Sequence, residues 1–263
     1  MTHQNRSPGC IHLRNSLLRI AAWLMAVVCA HSAYAHHAGD GNASEVSHYL
    51  VPLAECAPSI IQDMRYAGTN NFTGRSVDGY TEAECLLAPS AARALARIQA
   101  EARAYDLGLK VYDCYRPQRA VDHFVRWAED VDDQTTKSRF YPAVDKARLF
   151  EQGYIAARSS HSRGSTVDIT LVQAAGGELD MGTTFDYFDP LAHTDSTDVS
   201  PVARRNRLLL KLLMEKHGFG NYPQEWWHYT LRNEPYPDSY LDFPVEPVPG
   251  DRRTCHCTGH AQR

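Results

Sequence analysis

The stretch from Ser159 to Leu171, SSHSRGSTVDITL, constrains this chain most. His161 and Asp168 lie seven positions apart, and Gly164 between them lets the backbone turn sharply. The β-branched residues that follow predict a strand, which would hold Asp168 on a rigid element. One binding side chain on a turn and another on the neighbouring strand form a preformed site. This stretch therefore predicts a binding site built on a sheet.

A second group of ligand types follows in the sequence EWWHY, where Glu225 and His228 are three positions apart. With His161 and Asp168, it supplies two imidazoles and a carboxylate for a metal, plus one spare carboxylate. Catalytic Zn²⁺ is held by N, O or S ligands with one position left for water, whose pKa then falls to about 7. These residue types predict one catalytic Zn²⁺ per chain. In a regular strand Glu225 and His228 would point to opposite sides, so the chain must bend there.

Five ordered blocks carry a resemblance to a known family. They are RYAGTNNFTGRSVDGY at 65–80, YDCYRPQRAV at 112–121, SSHSRGSTVDITL at 159–171, MGTTFD at 181–186 and EWWHYTLRNEPYPDSYLDFPV at 225–245. The pattern SxHxxGxxxD followed by ExWH is similar to the zinc D-Ala-D-Ala peptidases of the hedgehog/DD-peptidase superfamily, peptidase family M15. The longer strings resemble its VanX-type D-alanyl-D-alanine dipeptidases. The likeness covers roughly residues 54–245.

The resemblance assigns roles at the reacting centre by position. It implies that His161, Asp168 and His228 are the three metal ligands. It also implies that Glu225 is the general base, taking a proton from the attacking water and delivering it to the leaving amine. Arg116 matches the arginine that stabilises the oxyanion, a task that suits a planar and permanently charged group. The alternatives are a structural salt bridge for Glu225 and a surface position for Arg116.

The resemblance also implies a substrate pocket. Asp186 matches the carboxylate that receives the ammonium group of the dipeptide, and this contact would admit free dipeptides and reject longer chains. Ser159, Tyr66 and Tyr80 match residues that hydrogen-bond or enclose a small D,D-dipeptide. The alternatives are turn capping for Asp186 and Ser159, and core packing for the two tyrosines.

The implied activity is the hydrolysis of D-alanyl-D-alanine to two D-alanines. Two other functions stay open: a zinc DD-carboxypeptidase acting on peptidoglycan stem peptides would share the ligands and the base, and a noncatalytic zinc cell-wall binding module would lack Glu225 or Arg116, both of which are present. A serine DD-peptidase is disfavoured because the sequence contains no S-x-x-K.

Residues 1–35 have the pattern of a signal peptide: three arginines, a short apolar run and an A-x-A site at 33–35. An uncleaved anchor is the alternative. Cleavage predicts an exported protein, periplasmic or extracellular, without a stable membrane anchor. Members of the family that confer glycopeptide resistance act in the cytoplasm, so export favours digestion or salvage of released wall dipeptide.

The mature chain is acidic. Removal of residues 1–35 leaves 24 basic and 31 acidic residues and a net charge of −7. No basic stripe indicates nucleic-acid binding, and no oligomeric state is predicted. The remaining 228 residues suit one compact domain. We expect a linker at 36–50, the zinc dipeptidase domain at 51–246 and a flexible tail at 247–263.

Five cysteines remain after residue 35, in a compartment where disulfides persist. The odd number leaves at least one thiol free or intermolecular. Cys56 with Cys85 is the predicted pair, since both flank the early loop. Cys114 is predicted to be a small buried hydrophobe, and Cys255 and Cys257 lie in the polar tail.

Apolar periodicity and turn residues predict the remaining elements. The order of helices and strands predicts an α+β fold, a single domain with a central antiparallel sheet and helices packed on it. The predicted elements are a helix capped by Ser90 that buries Ala91, Leu95, Ile98, Ala102 and Tyr105 and ends at Gly108, a strand from Leu109 to Tyr115, a helix opened by Pro117, a strand from Thr166 to Val172, a helix from Val202 to His217 with Leu209, Leu212 and Leu213 inward, and an interior strand that begins with His228.

Overall fold

The computed structural model describes residues 50–246, which form the predicted α+β fold. The predicted signal peptide, the Cys255 and Cys257 region and the tail lie outside these residues. In chain order the helices and strands are β1 (Val51–Pro52), α1 (Leu53–Cys56), β2 (Ile61–Gln62), β3 (Leu86–Leu87), α2 (Pro89–Arg103), β4 (Leu107–Asp113), α3 (Gln118–Glu129), α4 (Lys137–Phe140), β5 (Thr166–Gln173), α5 (Pro201–Lys216), β6 (Phe219–Asn221) and β7 (His228–Leu231). Between residues 50 and 246, no helix is long and apolar enough to cross a membrane.

The main sheet of the described residues has five strands in the order β2, β4, β5, β7, β6. The pairs β4–β5, β5–β7 and β6–β7 are antiparallel, as predicted, and β7 lies inside the sheet. The β2–β4 pair at one edge is parallel. A parallel pair needs a crossover rather than a hairpin, and α2 lies in the connection between these two strands. The short strands β1 and β3 pair separately.

Strand β5 is the centre of the fold. Its residues alternate between the two faces of the sheet, so Val167 and Ile169 belong to the buried hydrophobic core while Asp168 points to the opposite face. In the register, Asp168 lies opposite Asp113 of β4 and opposite His228 of β7. Three polar residues therefore form a row across three neighbouring strands.

Helix α2 begins and ends differently from the prediction. Pro89 is its first residue, where the missing N–H is harmless, and Ser90 lies inside the helix without acting as its cap. The chain reverses after α2 at Asp106, whose φ is 56°. Gly108 lies within β4. Tyr105 follows the end of the helix and is 62% exposed, so the predicted apolar stripe is one turn too long.

Helix α5 buries a different set of side chains from the predicted one. Among Leu209, Leu212 and Leu213, Leu213 is buried whereas Leu212 is 55% exposed. Arg207 occupies a buried position on the inner face, where its Nε donates to the carbonyl of Met181 at 2.7 Å. The spacing of apolar residues cannot predict this arrangement, because backbone carbonyl groups of a distant loop accept the hydrogen bonds of the buried arginine.

The predicted Cys56–Cys85 pairing is wrong. Cys85 bonds to Cys114, and Cys56 is disulfide-bonded elsewhere rather than free. Cys85 directly precedes β3, and the Tyr115 N–H donates to the carbonyl of Leu86 at 3.0 Å, which brings the two sulfur atoms together. Cys114 is fully buried as expected, but as half of a crosslink.

Candidate active site

One turn and two strands bring the predicted metal ligands together. His161 lies in the 3-10 turn Ser160–Arg163, and Gly164 ends this turn in the left-handed region with a φ of 76°. A Cβ at Gly164 would run into the side chain of Leu50, so the position requires glycine on both grounds. The register of β5 and β7 sets Asp168 opposite His228.

The three ligand atoms form a nearly equilateral triangle. Nε2 of His161 lies 3.3 Å from Nδ1 of His228, and both nitrogens lie 3.2 Å from Oδ1 of Asp168. A tetrahedral ion with bonds of 2.0–2.1 Å would separate its ligands by about 3.3–3.4 Å. The triangle therefore has the size that a tetrahedral zinc site needs.

The other nitrogen of each imidazole has its own hydrogen-bond partner. Nδ1 of His161 donates to the carbonyl oxygen of Cys114 at 2.6 Å, which leaves the lone pair of Nε2 directed at the triangle. Nε2 of His228 lies 3.2 Å from the hydroxyl of Ser160. Such outer partners fix the ring orientation and tautomer of metal-binding histidines.

Asp168 supplies the negative ligand. Its Oδ1 is buried and accepts no hydrogen bond from residues 50–246, although it lies 3.2 Å from a nitrogen of each imidazole. Burial acts to raise the pKa of Asp168, but the neighbouring imidazoles of His161 and His228 outweigh it and hold this pKa below its ordinary value. Burial lowers the pKa of His161, which favours the neutral ring. A buried carboxylate oxygen beside two imidazole nitrogens is a donor set that suits a divalent metal.

Glu225 lies in a bend just before β7, as its spacing from His228 requires. Its N–H donates to the carbonyl of Tyr222, and Nδ2 of Asn221 donates to the carbonyl oxygens of Glu225 and His228 at 3.1 Å each. Oε2 of Glu225 lies 3.4 Å from Nδ1 of His228. Burial, reinforced by the negative charge of Asp168, raises the pKa of Glu225 to about 7. Sequence patterns did not identify Asn221, which holds this bend.

Arg116 lies between the end of β4 and the start of α3, and Asp113 holds it in place. Nε of Arg116 donates to Oδ2 of Asp113 at 2.9 Å. Its terminal nitrogens make longer contacts of 3.4 Å with the hydroxyl of Ser159 and with Oδ2 of Asp168. Asp113 was not predicted as a site residue, although an acid three positions before an arginine in the YDCYRP block is a usable signal.

Tyr80 lies behind the site rather than in it. Its hydroxyl donates to Oδ1 of Asp113 at 2.6 Å, and the residue does not line the cavity. The structure therefore places Tyr80 outside the cavity, whereas the resemblance implied a position in the substrate pocket. Tyr80 instead supports the carboxylate that orients Arg116.

Asp186 and Tyr66 form a second polar group in the same cavity. The Tyr66 hydroxyl donates to the carboxylate of Asp186, at 2.9 Å from Oδ2. The backbone of Asp186 is left-handed, with a φ of 58°, which is strained for a residue with a side chain. Burial and the charge of Asp168 raise its pKa well above the ordinary value.

A cavity of about 240 Å³ connects these groups. Its polar lining includes Arg116, Ser159, Asp168, Asp186 and Glu225. Ser159 also accepts from the N–H of His161, so it caps the turn while it faces the cavity. The aromatic part of the lining consists of Tyr66, Phe72, Phe124, Tyr154, Phe188, Tyr222 and Trp227. A small cavity with a few convergent polar groups is typical of an enzyme site.

Comparison with known proteins identifies the family of this chain. Residues 46–246 match the peptidase M15 family model, described as D-ala-D-ala dipeptidase. The chain is 46% identical over 192 residues to a D-alanyl-D-alanine dipeptidase of Streptomyces coelicolor, covering 73% of this chain and 95% of that protein. It is 43% identical over 194 residues to a D-alanyl-D-alanine dipeptidase of Enterococcus faecalis, covering 73% and 96%. It is 37% identical over 182 residues to a D-alanyl-D-alanine dipeptidase of Escherichia coli, covering 69% and 84%. This chain therefore belongs to peptidase family M15.

Proposed function

We propose that this protein hydrolyses D-alanyl-D-alanine to two D-alanines with the help of one Zn²⁺. The observation that supports the proposal most is that two members of the His161–Asp168–His228 triangle, Asp168 and His228, line one cavity with two further carboxylates. The names of the relatives support the choice of substrate. The ligand types and the size of the triangle favour zinc.

Glu225 is the proton carrier of the proposed reaction. A bound Zn²⁺ held by His161, Asp168 and His228 would act as a Lewis acid toward water and the peptide carbonyl. Glu225 takes the proton from the attacking water and later gives it to the leaving amine. A carboxyl group whose pKa is about 7 can do both near neutral pH.

Arg116 is the proposed partner of the developing oxyanion. Its Nε is held by Asp113, whereas its terminal nitrogens make only long contacts in the cavity. These nitrogens are therefore the donors that can strengthen a bond as the carbonyl oxygen gains charge. Preorganised donors of this kind contribute about 2.7–4 kcal/mol to barrier lowering in other enzymes.

Asp186 is the proposed receptor for the ammonium group of the substrate. An arriving cation would restore the ionised form of this buried carboxylate, whose pKa is raised in its absence. Tyr66 holds the carboxylate in place, and Ser159 supplies a hydroxyl beside Arg116. A substrate without a free amine cannot make this contact, which favours free dipeptides over stem peptides.

Chelation tests the proposal directly. The purified protein should hydrolyse D-Ala-D-Ala, lose this activity after EDTA treatment and dialysis, and recover it on addition of one equivalent of Zn²⁺. A stem pentapeptide that ends in D-Ala-D-Ala should be a poor substrate. Full hydrolysis of the dipeptide by metal-free protein would contradict the mechanism, and preferred cleavage of the pentapeptide would favour a DD-carboxypeptidase.

We also propose that the protein is exported and acts on dipeptide released from the cell wall. The signal pattern in residues 1–35 supports this proposal, and so does the Cys85–Cys114 disulfide, because such bonds persist in oxidising compartments. Cell fractionation should recover a mature form that begins near His36. Recovery of the full-length chain in the cytoplasm would contradict export. Salvage further requires that the exported protein supports growth on D-Ala-D-Ala.

A further inference from the structure

The segment from Asp113 to Arg116 holds one of the metal ligands, His161, from behind. The carbonyl oxygen of Cys114 accepts the hydrogen bond from Nδ1 of His161 at 2.6 Å. In the same segment, Asp113 holds Nε of Arg116 at 2.9 Å and lies 3.5 Å from Nδ1 of His161. The position of this segment therefore decides where the ring of His161 points.

The sheet does not fix this segment by itself. The register between β4 and β5 shifts between Val111 and Asp113, and β4 ends at Asp113. Beyond that point, the Tyr115 N–H donates to Leu86 at 3.0 Å, and the Arg116 N–H makes a long contact of 3.4 Å with the carbonyl of His161. The backbone that carries the acceptor for His161 thus lies just past a break in the ladder.

The Cys85–Cys114 disulfide closes this gap covalently. Its other end is well anchored, because the N–H of Cys85 donates to Oε1 of Gln62 at 2.8 Å and its carbonyl accepts from the N–H of Leu53 at 2.8 Å. Both cysteines are fully buried. The crosslink therefore ties the carbonyl of Cys114 to the β1–β3 side of the fold.

We propose that this disulfide is a positioning element of the metal centre. It keeps the carbonyl of Cys114 where Nδ1 of His161 can bind it, and so presents Nε2 of His161 to the ion. Affinity for zinc then depends on the oxidised state of this pair. The inference rests on the zinc site of the proposed function but not on the identity of the substrate.

Zinc affinity is the readout that separates positioning from general stability. The double variant Cys85→Ala, Cys114→Ala keeps every ligand and removes the crosslink together with its two buried sulfur atoms. Leu210→Ala on α5 is the matched control, because it removes a fully buried side chain that does not line the cavity. For each folded protein, the zinc Kd is measured by competition with a chromophoric chelator, and the melting temperature is measured on the metal-free form.

We expect both variants to melt at lower temperature, while only the disulfide variant loses zinc affinity. The expected loss is about 10-fold, the low end of the effect of removing an outer partner of a metal ligand. A loss of at least fivefold relative to Leu210→Ala supports the inference. Any smaller loss overturns it, because the disulfide would then stabilise the fold without acting on the site.

A redox titration keeps the test decisive if the double variant does not fold. Zinc-loaded native protein is equilibrated in glutathione buffers, in which two glutathione thiols are oxidised as one protein disulfide becomes two thiols. The rate of zinc transfer to the chelator should rise as Cys85 and Cys114 become alkylatable, and a Cys56→Ala control removes the contribution of the other bonded cysteine. A constant rate through reduction of the pair overturns the inference.

The two proposals fail in different measurements. If native protein binds zinc but does not cleave D-Ala-D-Ala, the proposed function fails and the affinity comparison still stands. If native protein cleaves the dipeptide and the disulfide variant binds zinc as tightly as the control, only the positioning role fails.

Discussion

Two parts of the cavity differ in how well the fold satisfies their polar side chains. The metal corner, defined as His161, Asp168 and His228, lies on a turn and two paired strands, and the outer nitrogen of each imidazole has a hydrogen-bond partner. The substrate corner, defined as Asp186 and Tyr66, lies outside the helices and strands of the sheet, with Asp186 in the chain between β5 and α5 and Tyr66 in the 3-10 turn Arg65–Ala67. There, a left-handed backbone holds a carboxylate whose pKa burial raises well above its ordinary value.

The difference indicates two ways of preparing for a ligand. The metal corner is preorganised, so an ion finds its ligands at the separation that it needs. The substrate corner is costly when empty, because a buried carboxylate prefers to be neutral and its backbone is strained. An ammonium group would relieve the electrostatic part of that cost, so binding energy there selects the substrate.

Replacement of Glu225, the proton carrier, should give the largest effect: most of the turnover is lost while the metal corner keeps its zinc. Glu225→Gln should lower kcat by about 10²–10⁴-fold, the usual contribution of a general base. Zinc content measured by atomic absorption should stay at one per chain. Glu82→Gln, at an exposed site, is the matched control. Loss of zinc in Glu225→Gln would make Glu225 a ligand and contradict its role.

Neutralising Asp186 should remove substrate selection. Truncating a buried charge pair costs about 2–5 kcal/mol, so Asp186→Asn should lower kcat/KM for D-Ala-D-Ala by about 10²-fold. The poorer substrate N-acetyl-D-Ala-D-Ala has no ammonium group, and its kcat/KM should change little. An equal loss for both substrates would place the effect of the substitution in the metal corner instead.

Arg116 joins the two corners, because it contacts Asp168 at 3.4 Å and lies over the ring of Tyr66 with its guanidinium carbon 5.0 Å from the centroid. Arg116→Lys keeps the charge but loses the fork that reaches Asp113 and the cavity together. We expect kcat to fall by roughly 10-fold or more, with zinc affinity unchanged. Arg119→Lys, in an exposed ion pair, is the control for exchanging a guanidinium for an ammonium group. Unchanged kcat would remove Arg116 from the reaction.

The empty substrate corner should also cost stability in a pH-dependent way. The folded-state pKa of Asp186 is raised, so the cost is absent below the unfolded pKa of about 3.9 and grows as pH rises toward the folded value. Asp186→Asn should therefore raise the free energy of unfolding by about 1 kcal/mol or more at pH 7, and by less at pH 4. Urea denaturation of both proteins, with exposed Asp238→Asn as control, measures this. An equal gain at the two pH values would count against it.

The sequence predicts the metal corner better than its support. His161, Asp168 and His228 were predicted as ligands because the blocks that carry them resemble those of a known family, and the β-branched run after Gly164 predicts the strand. The supporting role of Asp113 depends on the register across three strands and on a shift beside Val111. Local patterns do not contain that register.

The features that the sequence analysis did not predict have the same origin. The Cys85–Cys114 bond follows from the hydrogen bond of the Tyr115 N–H to Leu86, which joins the segment after β4 to β3, and Tyr80 reaches Asp113 behind the cavity. Arg207 is buried on α5 because distant carbonyl groups accept its hydrogen bonds. In each case a long-range contact outweighs the local preference of the residue.

The most direct test of the metal centre is anomalous diffraction at the zinc edge from crystals of the zinc-loaded protein. The geometry predicts one peak per chain, at about 2.0–2.2 Å from Nε2 of His161, Nδ1 of His228 and Oδ1 of Asp168, with Glu225 facing it but not bonded. A peak bound by other side chains, or no peak at the triangle in zinc-saturated and active crystals, would contradict the account.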